Sequence, residues 1–248
     1  MKLTIVGCAG SYPNATSAAS CYLVEQDGFR LALDFGSGAL GPLHHYCDPC
    51  DLDGVLLSHL HADHFLDMCA LYVARRYRPS GMPPVIPVFG PDDTAVRLAT
   101  AYGMDPDPGM ADVFDVQTYP AGGFSVGPFT VTATEVHHPV VCHALRVSAG
   151  DRTLVFSGDT APCDGLVKAA RGADVALFEA SFREDDVNPP ALHMTAREAG
   201  AMAAQAGVGR LILTHMVAWH DNSGAVAEAA GAYDGDVVVA EPGMVIHI

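Results

Sequence analysis

Three imidazoles and a carboxylate crowd into six residues, His59-Leu60-His61-Ala62-Asp63-His64, directly after the apolar run Val55-Leu56-Leu57. A run like Val55–Leu57 reads as a brief buried strand, and a cluster of this kind at its end is hard to explain as packing. Histidine and aspartate are costly to bury unless they are paired or bound to a metal. Alternation along an extended segment sends His59 and His61 to one side, where both can reach one ion. A turn and helix start beyond them would send Asp63 and His64 toward a second ion. Histidine and carboxylate without thiolate suit zinc, manganese or iron. Any fold of this chain must therefore bring further donors to the end of that strand.

The chain supplies such donors in places of the same character. His138 follows the strand-like run Phe129–Thr134, Asp159 follows Thr153–Ser157 in Ser157-Gly158-Asp159-Thr160, and His215 follows Leu211–Thr214. Each is a ligand-type residue just past the end of a strand, where loops on a rigid scaffold carry function. Taken singly, a histidine is ordinarily a surface or satisfied core residue and Gly-Asp-Thr an ordinary turn. Together with the first cluster they make a metal or catalytic constellation. His137 and His143 flank His138 and either could replace it, but His138-Pro139 with Arg146 eight residues on fits best.

Around these positions the apolar pattern predicts strands at Leu3–Cys8, Cys21–Glu25, Phe29–Asp34, Val55–Leu57, Val85–Phe89, Val113–Thr118, Phe129–Thr134, Ala144–Ser148 and Thr153–Ser157. Helices are expected at Ala39–Tyr46, at Leu66–Arg78 with an apolar face at 66, 69, 70 and 73, and at Asp92–Tyr102. Later come helices at Asp164–Ala170, Thr195–Ala206 and Gly224–Ala230, and strands at Val175–Phe178, Leu211–Thr214, Asp236–Ala240 and Met244–Ile248. Strand-rich halves with helices outside them suggest two packed sheets between helical layers, an α/β fold of the αββα sandwich type, in one domain spanning residues 1–248.

Composition narrows the partners. With half its 248 residues hydrophobic and 17% charged, the chain is not intrinsically disordered. Thirteen Lys and Arg against 29 Asp and Glu leave a formal charge of −16. That weighs against a long nucleic acid as partner and against a polybasic grip on membranes. No stretch reaches membrane-helix length, and the N-terminal apolar run is too short for a signal peptide. Seven cysteines, an odd number, do not form a secreted disulfide framework, so a reducing cytoplasm is the simplest expectation. Cys47-x-x-Cys50 after His44 and His45 makes a small zinc site conceivable. Structural sites usually draw on two separated ligand pairs, however, and a helix end entering a turn is the plainer reading.

The sequence resembles the metallo-β-lactamase superfamily, whose HxHxDH motif is matched from His59 to His64, with the later His, Gly-Asp-Thr and Leu-Thr-His matched in order. The resemblance implies an αββα fold with a dinuclear centre at the edge between the sheets. By it, His59, His61 and His138 hold one ion, Asp63, His64 and His215 the other, and Asp159 bridges them. Asp34, in Leu33-Asp34-Phe35-Gly36-Ser37-Gly38, matches an early acidic motif that supports the ligands from behind. Glu179-Ala180-Ser181-Phe182 and His193-Met194-Thr195 are similar to the ribonuclease Z and phosphodiesterase branch, with Glu179 in a supporting place. In that branch the His of His-x-Thr lies beside the metals and helps protonate the reacting phosphate. The string from Asp34 to Gly41, with Leu71–Tyr77, looks like actinobacterial metal-dependent hydrolases that include cyclic-nucleotide phosphodiesterases.

Ribonuclease Z carries a long basic arm between the third-motif His and the bridging Asp. Here residues 139–158 hold only a strand–turn–strand, so no arm fits, and an RNA endonuclease is disfavoured. The expectation is a dinuclear hydrolase, with zinc or else manganese or iron, acting on a small cyclic-nucleotide-like phosphodiester. A metal-bridging hydroxide attacks, Asp63 accepts a hydrogen bond from it, and His193 protonates the leaving oxygen; the plainer role of His193 is helix entry with Thr195 as cap. Arg75 and Arg146 are candidate phosphate contacts, although Arg75 with Arg76 and Arg78 reads more simply as a solvated helix face. Hydrolysis of a lactone, thioester or lactam is the alternative on the same fold. Oxidoreduction at iron is less favoured without a flavin domain, and a metal scaffold without catalysis is disfavoured by the full ligand set. Such enzymes are often dimers, though no self-complementary patch is legible. His44, His45, His220 and His247 are left as structural or surface residues.

Overall fold

The computed structural model describes all residues, Met1–Ile248. Its strands are β1 (Lys2–Gly10), β2 (Ala18–Ala19), β3 (Cys21–Gln26), β4 (Phe29–Leu33), β5 (Gly54–Leu56), β6 (Ile86–Gly90), β7 (Phe114–Thr118) and β8 (Gly123–Val126). They continue as β9 (Phe129–Glu135), β10 (His143–Ala149), β11 (Arg152–Phe156), β12 (Val175–Glu179), β13 (Arg210–Thr214), β14 (Met216–Val217), β15 (Asp236–Val239) and β16 (Val245–His247). The helices are α1 (Leu40–Leu43), α2 (Ala62–Phe65), α3 (Met68–Arg76), α4 (Thr94–Tyr102), α5 (Asp164–Ala170), α6 (Ala196–Ala206) and α7 (Ala225–Ala230), with a 3-10 turn at Pro49–Asp51.

Strand alternation builds the layers. On β4, Leu31 and Leu33 enter a core with Val131, Leu145 and Phe156 of the opposite sheet, while Ala32 between them faces a second core with Leu43, Leu71 and Leu98. On β12, Val175 and Leu177 join the first core, and Ala176 and Phe178 join a third with Leu166, Ala199 and Ala229. Two sheets back to back, each covered outside by helices, make the four-layer α/β sandwich. The first sheet has nine strands, running β14-β1-β3-β4-β5-β6-β7 with β2 and β16 also on β1. The second has seven, ordered β15-β13-β12-β11-β10-β9-β8. β4 to β7 pair in parallel, as do β11, β12, β13 and β15, so their C-terminal ends lie together at one edge.

Several local expectations need correction. The helix expected at Leu66–Arg78 is the shorter α3, preceded by the separate turn of α2, and its buried face is Met68, Leu71, Tyr72 and Arg75, while Leu66 and Val73 are exposed. Two apolar stripes on one segment both satisfy the helical period, and the anchor at Asp67, whose carboxylate accepts the Leu40 N–H at 2.9 Å, selects one. The helix at Ala39–Tyr46 shrinks to α1. Strand β8 and the short β2 and β14 lie outside the expected strands. β14 and β16 also return to the first sheet, β16 along the start of β1 and β14 along its end beside His215.

Candidate metal centre

Every expected donor is delivered to one edge. His59 and His61 follow β5, Asp63 and His64 lie in α2, His138 follows β9, Asp159 follows β11, and His215 separates β13 from β14. Two donor sets result. His59, His61, His138 and Asp159 present one set, and Asp63, His64, His215 and Asp159 the other, with the donor atoms of each set within 4.8 Å of one another.

Asp159 faces both sets with different oxygens. Its Oδ2 is 3.7 Å from His59 Nε2, while Oδ1 is 3.3 Å from His64 Nε2 and 3.6 Å from His215 Nε2. In the first set His61 Nδ1 lies 3.1 Å from His59 Nε2 and 3.3 Å from His138 Nε2. In the second, His215 Nε2 lies 3.1 Å from His64 Nε2 and 3.0 Å from Asp63 Oδ2.

The far side of each ring explains what these atoms are for. Ser58 Oγ donates to Asp34 at 2.8 Å and so accepts from His59 Nδ1 at 3.0 Å. His138 Nδ1–H donates to the Leu192 carbonyl at 2.9 Å. Ser181 Oγ donates to the His215 carbonyl and accepts from His215 Nδ1, both at 2.8 Å. In each ring the proton is thereby placed on Nδ1 and the Nε2 lone pair is aimed inward. Buried lone pairs facing one another repel unless a cation lies among them. Asp159 Oδ1 is itself buried without a hydrogen-bond partner. The residues present therefore fit a divalent-metal site.

Electrostatics agree. Burial pushes Asp159 up, but the imidazoles of His215, His64 and His59 outweigh it and hold the carboxyl well below the usual range. Asp63 is likewise held low: burial is overcome by the neighbouring imidazoles of His215 and His64. Burial drives His59, His61 and His138 down, toward neutral rings that can ligate. His64 goes the other way, raised because Asp159 and Asp34 overcome burial.

Behind the centre, Asp34 accepts from His64 Nδ1 at 2.6 Å and from the Ser58 N–H at 2.7 Å. Asp34 and His215 both have left-handed backbone, φ 55° and 58°, conformations that cost free energy and cluster at functional sites. The tight turn needs Gly36, where a Cβ would collide with the Asp63 carbonyl oxygen. Glu179, fully buried, accepts His193 Nδ1–H at 2.7 Å and the backbone N–H groups of Thr160 at 2.9 Å and Ser181 at 3.1 Å. His193 Nδ1 lies 3.9 Å from Asp159 Oδ2, and Glu179 raises its pKa against the effect of burial.

Neither arginine comes to the site, and both assignments are corrected. Arg75 is buried, and its guanidinium donates to the carbonyls of Cys50 (2.8 Å), Leu52 (3.4 Å) and Pro84 (2.6 Å), tying together loops beneath α3. Arg146 donates to the carbonyls of Ala169 (2.9 Å) and Arg171 (3.1 Å) at the end of α5. The arginine that does line a groove with His61 is Arg97 of α4, which no sequence motif singles out. Ser58 and Ser181 orient the rings, a role the sequence does not reveal even though Ser181 lies within the Glu179–Phe182 motif. His44, His45, Cys47 and Cys50 do not converge on a common point, and Cys50 Sγ faces the Ala74 carbonyl. His143 lines the groove beside His61, His220 lines a second cavity on the His193 side, and His137 is exposed.

Residues 32–216 match the model of the Beta-lactamase superfamily domain. The chain belongs to the metallo-β-lactamase superfamily. It is 43% identical over 243 residues to the Mycobacterium leprae protein ML1173, covering 96% of this chain and 85% of that one. The probable metallo-hydrolase YhfI of Bacillus subtilis is 32% identical over 252 residues, 99% of each chain. The crystal structure of YhfI superposes with a TM-score of 0.88 at 31% identity over 99% of each chain. Ribonuclease Z of Haloferax volcanii is 27% identical over 305 residues, covering 100% of this chain and 95% of its own. This member of the superfamily is thus a metallo-hydrolase by kinship. No helix is long and apolar enough to cross a membrane.

Proposed function

We propose that the protein is a phosphodiesterase that cleaves a small, cyclic-nucleotide-like diester with two divalent ions, zinc by preference. The observation that carries this reading is His193, held by buried Glu179 beside the carboxylate shared by the two donor sets. Ions in these sets would activate water and neutralise charge developing on phosphoryl oxygens. The protein's own part follows from its hydrogen bonds. Glu179 fixes His193 with Nδ1–H pointing backward, leaving Nε2 free to hand a proton to the leaving oxygen. In a cyclic diester that oxygen stays attached to the product, which carries a monophosphate on one position and a hydroxyl on the other.

Size and charge support a small substrate. The centre lies between two grooves, about 810 Å³ on the His61 side and about 530 Å³ on the His193 side, suited to small molecules. The ribonuclease Z match runs over 305 residues against the 248 of this chain, so that relative carries segments absent here. With a charge of −16, a long polyanion is a poor partner. All seven cysteines are free, which favours a reducing cytoplasm.

His193→Ala should lower turnover by roughly 10²–10⁴-fold while metal content per chain is unchanged, and added imidazole should restore part of the rate. Because Glu179, His193 and His215 also converge, equal loss of metal and rate would make His193 a ligand instead. A panel of cyclic nucleotides, nitrophenyl diesters, lactones and thioesters, with His61→Ala as blank, tests the bond cleaved. Lactone or thioester turnover without diester turnover would overturn the reading.

A further inference from the structure

The cavity on the His193 side has an aromatic wall. Trp219 and Tyr12 stack with centroids 5.5 Å apart and planes at 29°, yet remain 57% and 46% exposed. Single exposed aromatics are common, but Trp219 lines a cavity that also contains His193 and is backed from outside that cavity by Tyr12, which makes it a built feature.

The backbone fixes both rings relative to the centre. β14 pairs in parallel with the end of β1, Ala9 opposite Met216 and Gly10 opposite Val217. His215 immediately precedes β14, and its N–H donates to the Cys8 carbonyl at 3.1 Å. A Cβ at Gly10 would collide with the His215 carbonyl oxygen, so the two segments pass as closely as chains can. Beyond Gly10, Ser11 takes a left-handed conformation, φ 66°, and turns Tyr12 back. Beyond Val217, the next turn is closed by Asn222 Nδ2 donating to the Val217 carbonyl at 3.1 Å, with Trp219 on it. Both aromatics thus sit at set offsets from a metal-centre residue.

The cavity offers polar atoms around this wall. Asn188 spends its Nδ2 on the Arg183 carbonyl at 2.7 Å, leaving its side-chain oxygen to accept. Asp186 is a second acceptor, 3.8 Å from His220 Nδ1. A flat face with acceptors at its edge and a negative charge nearby suits a neutral heterocycle bearing N–H donors and disfavours a second phosphate.

We propose that Trp219, braced by Tyr12, is the shelf on which the substrate's nucleobase stacks while its phosphodiester lies at the metal centre. This assignment rests on the diester reading above and adds a specificity site to it. The chain has one tryptophan, so intrinsic fluorescence reports on the shelf directly.

The test uses metal-loaded protein with two readouts. Adenosine monophosphate, a monoester and so a product rather than a substrate of the proposed reaction, should quench Trp219 saturably, ribose 5-phosphate should not, and Tyr12→Ala should weaken the quenching titration. In kinetics, Trp219→Ala should lower kcat/KM for cyclic AMP about tenfold more than for a methyl riboside 3′,5′-cyclic phosphate lacking the base. The loss should fall mainly on KM, and Trp219→Phe should recover most of it. Equal losses on the two substrates, or no quenching by adenosine monophosphate, would overturn the shelf even if diester turnover is established. Quenching without turnover of any diester would support the shelf and sink the diester reading instead.

Discussion

On one side of Asp159, His64 and His215 are held through their far nitrogens by core side chains, Asp34 and Ser181. Asp63, His64, Asp159 and His215 on that side are all buried. On the other side His61 and His138 are partly exposed, and His61 lines a groove. There His138 is held by a backbone carbonyl and His59 by Ser58. The buried half is surrounded by groups that fix ring orientation and charge before any ligand arrives. The open half gives up some of that support for access. If each half takes an ion, as proposed above, the buried half should hold its ion more tightly and the open half should be the one substrate meets first.

The most drastic way to break this contrast is to remove what the halves share. Asp159→Ala takes a low-pKa carboxylate from both sets at once. Metal content should fall in both, and turnover should drop on the order of 10³-fold or more, the several kcal/mol that metal ions supply to such a transition state. Metal analysis after gel filtration checks it. Full retention of one ion would show that the halves do not depend on a common bridge.

A narrower change separates them. Asp34→Asn keeps the shape, and asparagine tolerates the left-handed backbone of position 34. It nevertheless sets an amide donor either against the Ser58 N–H or against Ser58 Oγ–H and His64 Nδ1–H together, since those two share Oδ2. Either way His64 loses the carboxylate charge behind its ring. Affinity for the more tightly held ion should fall roughly 10–100-fold, measured by competition with a chelator of known affinity. If the weaker ion is the one affected, the assignment of the tight half is wrong.

How much of this is legible in the sequence depends on the kind of residue. Histidines and aspartates at strand ends are seldom there for packing alone, which is why His59, His138, Asp159 and His215 stand out from scattered positions. The layers are legible because alternation on strands such as β4 and β12 assigns each side chain a face. Arg75 misleads because a guanidinium that satisfies three loop carbonyls looks, in sequence, like one on a solvated helix. The face of α3 misleads because two apolar stripes compete for it. The roles of Ser181, although it lies in a quoted motif, and of the Leu192 carbonyl are not legible, since neutral hydroxyls and backbone acceptors are everywhere and only their placement makes them matter. Trp219 and Tyr12, more than two hundred residues apart in the chain, meet only through the β1–β14 pairing.

Ser181 offers the smallest and sharpest test of the comparison. It holds His215 in the same buried half as Asp34 holds His64, but through a neutral hydroxyl rather than a carboxylate. A neutral hydrogen bond contributes about 0.5–1.5 kcal/mol and one to a charged group about 1.5–3. Ser181→Ala should therefore weaken the tight ion only about three- to tenfold, with a comparably small fall in the stability of the metal-free protein. The same chelator competition and a urea titration measure both. A loss equal to that of Asp34→Asn would mean that fixing the ring, not supplying charge, governs the buried half. The smaller loss would instead make the Asp34 carboxylate the reason that half binds tightly.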